Sequence, residues 1–213
     1  MDDTRRPFYN DVSFWVLIFS NLLTAGFAVK EDWSLITLMI AYWLQSCIIG
    51  LFNFVRILSL KDVSTESFYI NKNPVIPGEY VKIFSALFFV FHYGFFHLVY
   101  GIFLLFFAFT SSSVVNITHV LIAGGIFFFD HLFSFNYNRK RDEKRTWKIP
   151  RLMFFPYARV IPMHFVILVY GFSSSGEELL LVFLGLKTAA DAAMHVIEHR
   201  WKPQSKQELL RGD

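Results

Sequence analysis

The chain has 213 residues, of which 54% are hydrophobic and 19% aromatic, with 27 Phe, only 17% charged residues and a formal net charge of +3. Its apolar residues gather in blocks about 20 residues long, the length that crosses a ~30 Å hydrocarbon layer at 1.5 Å per residue, which excludes an ordinary soluble domain with short periodic elements. The net charge is too mild to point to nucleic acid, and the single cysteine, Cys47, excludes an intrachain disulfide.

Six blocks follow in chain order, at about 12–29, 33–55, 81–108, 114–135, 153–172 and 179–197. The first is preceded by Arg5 and Arg6, as a signal peptide would be. It is long for such a segment, Ser20, Asn21 and Thr24 interrupt it, and Lys30-Glu31-Asp32 offers no small-residue cleavage site. It is expected to remain as a membrane helix. The stretch at about 59–75 is neither apolar enough to cross nor long enough to fold, and is expected along the cytoplasmic interface. The third block is the longest and the most crowded with Phe, with Pro77 and Glu79 as its start signals. It should tilt or protrude. Residues 136–151 form a basic loop, and 200–213 a tail.

Lysine and arginine set the orientation. Arg5 and Arg6 precede the first block, and Arg56, Lys61 and Lys72 lie between the second and third. The fourth-to-fifth connection is the richest, from Arg139, Lys140 and Arg141 to Lys148 and Arg151, and the tail adds Arg200 and Lys202. The alternate loops hold only Lys30. The expected fold class is therefore all-α: a polytopic bundle of six transmembrane helices in the cell membrane, with both termini cytoplasmic and lipids as its surroundings.

Ionisable residues at membrane depth are costly and usually face the bundle interior. Lys187, Asp191, His195 and His199 are spaced four apart and form one stripe, edged by Ala189, Ala190, Ala192 and Ala193, which permit close helix approach. On the third helix, His92 and His97 bound a polar arc that includes Tyr93 and Tyr100. Counted from the cytoplasmic ends at 1.5 Å per residue, His92, His164 and Asp191 lie about 14–17 Å deep. His195, Asp130 and His131 lie about 7–9 Å deep, and His97 and Lys187 about 20–24 Å. Imidazoles and a carboxylate from several helices at one level make a usual first shell for zinc, or for non-haem iron. The bland readings are a metal-free hydrogen-bonded network, and for Lys187 and Asp191 an internal ion pair. His119 and His131 read as hydrogen-bond partners between helices, or as interfacial groups.

The chain resembles an uncharacterised prokaryotic family of integral membrane proteins, known only as a domain of unknown function. The resemblance spans about 43–195. It rests on Trp43-Leu44-Gln45 with Ile49-Gly50-Leu51-Phe52-Asn53, on His92-Tyr93-Gly94-Phe95-Phe96-His97, on Pro156-Tyr157-Ala158-Arg159 leading to His164, and on Lys187-Thr188 leading to Asp191 and His195. It implies no activity. The chain is also fainter in its similarity to intramembrane zinc amidohydrolases, the alkaline ceramidases and adiponectin receptors, through Ser85 with His92, Asp130, and the closing His195-Val196-Ile197-Glu198-His199. In that family the serine stands four residues from the histidine, not seven, there are seven helices, and Asp191 has no counterpart.

The leading expectation is an intramembrane metal-binding protein and, within that reading, a metal-dependent hydrolase of a lipid or other apolar substrate. A divalent metal, zinc in preference to iron, would be held by His92, His164, Asp191 and His195, with His97 as a further ligand. His195 and Lys187 would be the catalytic groups, and Arg159, Tyr93 and Asp130 would bind substrate. The alternatives are an ion, proton or metal transporter using the same His/Asp/Lys set, and a structural or haem-binding protein with His92 facing His164.

Overall fold

Helix α1 (Val12–Lys30) begins where the Asp11 carboxylate accepts from the Ser13 N–H at 3.0 Å and from the Ser13 hydroxyl at 2.6 Å. It ends in a left-handed turn. Asp32 sits at φ 47°, which Asp tolerates better than most residues, and the Trp33 N–H reaches back to the Ala28 carbonyl at 2.9 Å. Ser34 then caps α2 (Leu35–Ser59), accepting from the Thr37 N–H. The structure is a computed structural model that describes residues 11–65, 69–70, 73–74, 76–110, 114–143, 146–158, 160–161, 165 and 176–200.

Three long helices follow, and one short one. They are α3 (Glu79–Thr110), α4 (Ile117–Asp142), α5 (Ile149–Ala158) and α6 (Gly176–Arg200). Among the described residues the protein is thus all-helical apart from four two-residue strands. β2 (Tyr69–Ile70) and β3 (Asn73–Pro74) form a small antiparallel hairpin within the segment expected along an interface. β1 (Val63–Ser64) pairs in parallel with β4 (Trp147–Lys148). Helix α4 continues to Asp142, into the stretch expected as loop, because Asn138 donates to the Ser134 carbonyl and Arg139 pairs with Glu143 one turn on. The expected fifth span lies mostly outside the described residues, where α5 covers only its start. Among the described residues, four helices, α1, α2, α3 and α4, are long and apolar enough to cross a membrane.

α2 is the axis of the fold and packs on α3, α4, α5 and α6, while α1 packs on α4 and α6. Its Ile36, Leu38, Met39, Ala41 and Tyr42 are almost wholly enclosed. Two close approaches fix its neighbours. A Cβ on Gly50 would stand 2.5 Å from the Tyr93 ring of α3, and one on Gly124 of α4 would stand 2.6 Å from Leu44. The outer face is the reverse of a soluble surface. On α3, Phe84, Phe88, Phe91, Phe95, Leu98 and Ile102 are all exposed at alternating spacings of four and three, with Phe91 76% exposed. A contiguous apolar stripe of this kind is rare on water-soluble monomers.

The two ends of the bundle differ in charge. At one end, Ser34 bonds the Val114 carbonyl and the Asn116 N–H bonds Thr37, so the starts of α2 and α4 meet, near Lys30. At the other end, Arg56 holds Asp142 through two nitrogens at 2.8 and 3.3 Å and lies 4.4 Å over the Trp147 ring, while Lys82 donates to the Leu60 carbonyl. The second-to-third and fourth-to-fifth connections therefore share one end, and that end carries the basic residues.

Candidate functional site

The stripe on α6 meets α1 and α2 at an ion pair. Lys187 donates to the Asp191 carboxylate at 2.7 Å, and their side chains are 3% and 0% exposed. Spacing of four on one helix brings the two together without bending the backbone. The same carboxylate oxygen accepts from the Asn21 amide of α1 at 3.1 Å. The Lys187 ammonium also lies 5.3 Å from the centroid of the Tyr42 ring of α2, within cation–π range. Taking two charges out of water costs several kcal/mol each, so this geometry is what makes their burial tolerable. One turn on, His195 packs its ring against Phe14 of α1 at 5.3 Å.

Next to Asn21, Ser20 turns to a second carboxylate. Its hydroxyl stands 3.2 Å from Asp130 of α4, a residue 6% exposed, and also bonds the Leu17 carbonyl. His131 lies 3.4 Å from Asp130. Its Nδ1 is closer to the Phe127 carbonyl, at 2.9 Å, and a carbonyl only accepts, so that nitrogen carries a proton. Consecutive residues of α1 thus join two acidic side chains from two other helices. Ser13, Ser20, Asn21 and Thr24 are all buried. In the sequence they read only as interruptions of an apolar block. Their spacing of three and four was the signal that they share a face.

His97 belongs to a separate network between α2 and α3. Its Nδ1 faces the Tyr93 carbonyl at 2.8 Å, its Nε2 faces the Ser46 hydroxyl at 2.8 Å, and the Tyr93 hydroxyl bonds Ser46 as well. With Nδ1 donating to a carbonyl, Nε2 is free to accept from Ser46, and a neutral imidazole satisfies the whole set. Trp43 closes it by donating to the His97 carbonyl at 2.9 Å. His92 is elsewhere again, on an exposed face, bonded to the Tyr157 hydroxyl of α5 at 2.6 Å and stacked on Phe88. His119 stacks on Trp33 at 4.8 Å.

The structure therefore gives the described candidate histidines and acids different partners. His92 goes to Tyr157, His97 and Tyr93 to Ser46, Asp191 to Lys187 and Asn21, and Asp130 to Ser20 and His131. Among the described residues, no three His, Cys, Asp or Glu side chains stand close enough to hold a metal ion. Equal depth fixes a level, not a direction around each helix axis. One Asp191 oxygen, Oδ2, already accepts from the Lys187 ammonium and the Asn21 amide. His164 and Arg159 lie outside the described residues. Among the buried polar atoms that lack a hydrogen-bond partner within the described residues are both ends of the Gln45 amide, the Asn21 Oδ1 and the Ser85 hydroxyl, which were not singled out in sequence as a set.

Residues 3–208 match the model of a family of unknown function (DUF6498). That span includes every motif of the first resemblance. No curated protein and no solved structure matches the chain, and nothing supports the amidohydrolase likeness or a prokaryotic source.

Proposed function

We propose that this chain, which belongs to that family of unknown function, is a multi-span protein of the cell membrane that moves protons, alone or with a small polar solute, through the Lys187–Asp191 centre. In this reading six helices cross the bilayer and both termini are cytoplasmic. Four helices of spanning length, the exposed Phe stripe and the gathering of basic residues at one end support it. The observation that carries the transport reading is the ion pair itself, 2.7 Å long, fully buried and bonded across to Asn21. Ionisable groups at membrane depth mark ion and proton pathways. A network of donors and acceptors that joins three helices gives a proton successive places to rest.

Metal-dependent hydrolysis is the weaker reading. The Asp191 carboxylate is already neutralised by Lys187, while His92 bonds Tyr157 and His97 bonds Ser46. The test uses purified protein in liposomes that contain a pH-sensitive dye. An imposed pH difference should collapse faster with wild-type protein than in empty vesicles. Asp191→Asn should remove the difference. Wild-type vesicles that behave like empty ones would overturn the reading, and about one metal ion per chain by elemental analysis would restore the hydrolase.

A further inference from the structure

We infer that Gln45 and Asn21 frame a buried hydrogen-bonding site beside the Lys187–Asp191 pair, and that it takes an uncharged molecule able both to donate and to accept, water in the resting protein. The inference rests on the reading of this centre as the functional site.

Gln45 is 0% exposed, and neither its amide nitrogen nor its amide oxygen has a partner among the described residues. Burying such a group without hydrogen bonds is costly, and buried polar groups are almost always satisfied. Asn21, also 0% exposed, spends its nitrogen on Asp191 and the Leu17 carbonyl, while its oxygen is left without a partner at the other end of the same amide.

The two residues sit at one level. Asn21 lies about 14 Å from the Lys30 end of α1, and Gln45 about 15 Å from the start of α2 at the same end of the bundle, counted at 1.5 Å per residue. They also share a side. Gln45 is one turn from Tyr42, about 60° around α2, and Tyr42 touches both Lys187 of α6 and Phe127 of α4. Ser46, the next residue, turns toward α3 instead. Gln45 is therefore on the side of α2 toward α4 and α6, and α1 packs against both of these helices.

The chemistry of the unsatisfied atoms defines the occupant. The Gln45 nitrogen needs an acceptor, and the Gln45 and Asn21 oxygens need donors. A metal ion would serve only the oxygens, and an anion only the nitrogen. The ammonium and carboxylate beside them already balance, so an added ion would leave a net buried charge. A water meets the description, because a polar cavity with two to four partners is where buried water is found.

Gln45→Met tests this, because Met has nearly the same length and no amide. If the amide had no partner, removing it would relieve a desolvation penalty and raise the melting temperature in detergent. With an occupant in place, the melting temperature should fall by about 2–4 °C, the shift for one lost hydrogen bond in a chain of this size. Combined with Asn21→Leu, the two losses should be non-additive, since both variants empty one site. A rise with Gln45→Met, or strict additivity, would overturn the inference. Should either variant fail to fold, an experimental map of the wild-type protein that resolves ordered water decides. Density within hydrogen-bond distance of both Gln45 and Asn21 upholds the site, whether it is a single water or a larger uncharged molecule. An empty site, or a bound ion, overturns it. None of these measurements involves proton flux, so this inference and the transport reading can fail separately.

Discussion

Lys187 and Asp191 are the residues on which the account turns, and their energetics make a sharp expectation. Each offsets the other's burial, so removing one leaves an uncompensated charge in an apolar surround. Lys187→Met alone and Asp191→Asn alone should each destabilise by about 3–5 kcal/mol. The double variant, which leaves no charge, should lose much less than the sum, as residues in direct contact do. Unfolding of the detergent-solubilised protein measures all three, and losses that simply add would mean the 2.7 Å contact carries no coupling. His97 makes a contrasting case. Its ring is satisfied by Ser46 and the Tyr93 carbonyl, so it reads as structural. His97→Leu should cost about 1–3 kcal/mol through the lost hydrogen bond to Ser46. It should leave the pH-gradient collapse in vesicles unchanged, and a loss of flux at normal stability would place His97 in the pathway instead.

At the scale of the helices, what holds the bundle is close approach around α2. Gly50 is the clearest instance. A methyl there would stand 2.5 Å from the Tyr93 ring, so α2 and α3 must part or the ring must leave Ser46. Gly50→Ala should therefore destabilise by about 1–3 kcal/mol. Gly94→Ala on α3, where a Cβ meets nothing within 4 Å, should stabilise slightly or do nothing, because alanine is the better helix former. Equal effects in thermal unfolding would show that the α2–α3 contact is looser than drawn. The helices also show what the sequence could and could not reveal. The length of each apolar block and the spacing of four between Lys187 and Asp191 are local properties, legible from periodicity alone. The direction a side chain faces within the bundle was not, since it depends on which helices pack where. His92 and Asp191 therefore shared a computed level yet have separate partners, while Ser20 and Asn21 looked like blemishes in α1 and join two carboxylates.

For the whole molecule, the alternation of loop charge becomes a physical arrangement. The Arg56–Asp142 pair, the stack of Arg56 on Trp147 and the pairing of β1 with β4 tie two basic connections together at one end, and Lys30 stands at the other. Between the ends, α3 turns phenylalanines outward, and the buried charges lie on α4 and α6, bridged by Ser20 and Asn21 of α1. An outer face more apolar than the site inside it is the arrangement that a hydrocarbon surround favours. Everything said of proton movement depends on that arrangement. The most direct measurement is the sidedness of the two ends in intact cells. Cys47 is first changed to Ala, and single cysteines are then placed by Lys30→Cys and Lys140→Cys. A membrane-impermeant thiol reagent should label the cysteine at 30 from outside, and the cysteine at 140 only after the membrane is opened. Labelling of both positions from the same side would contradict the account.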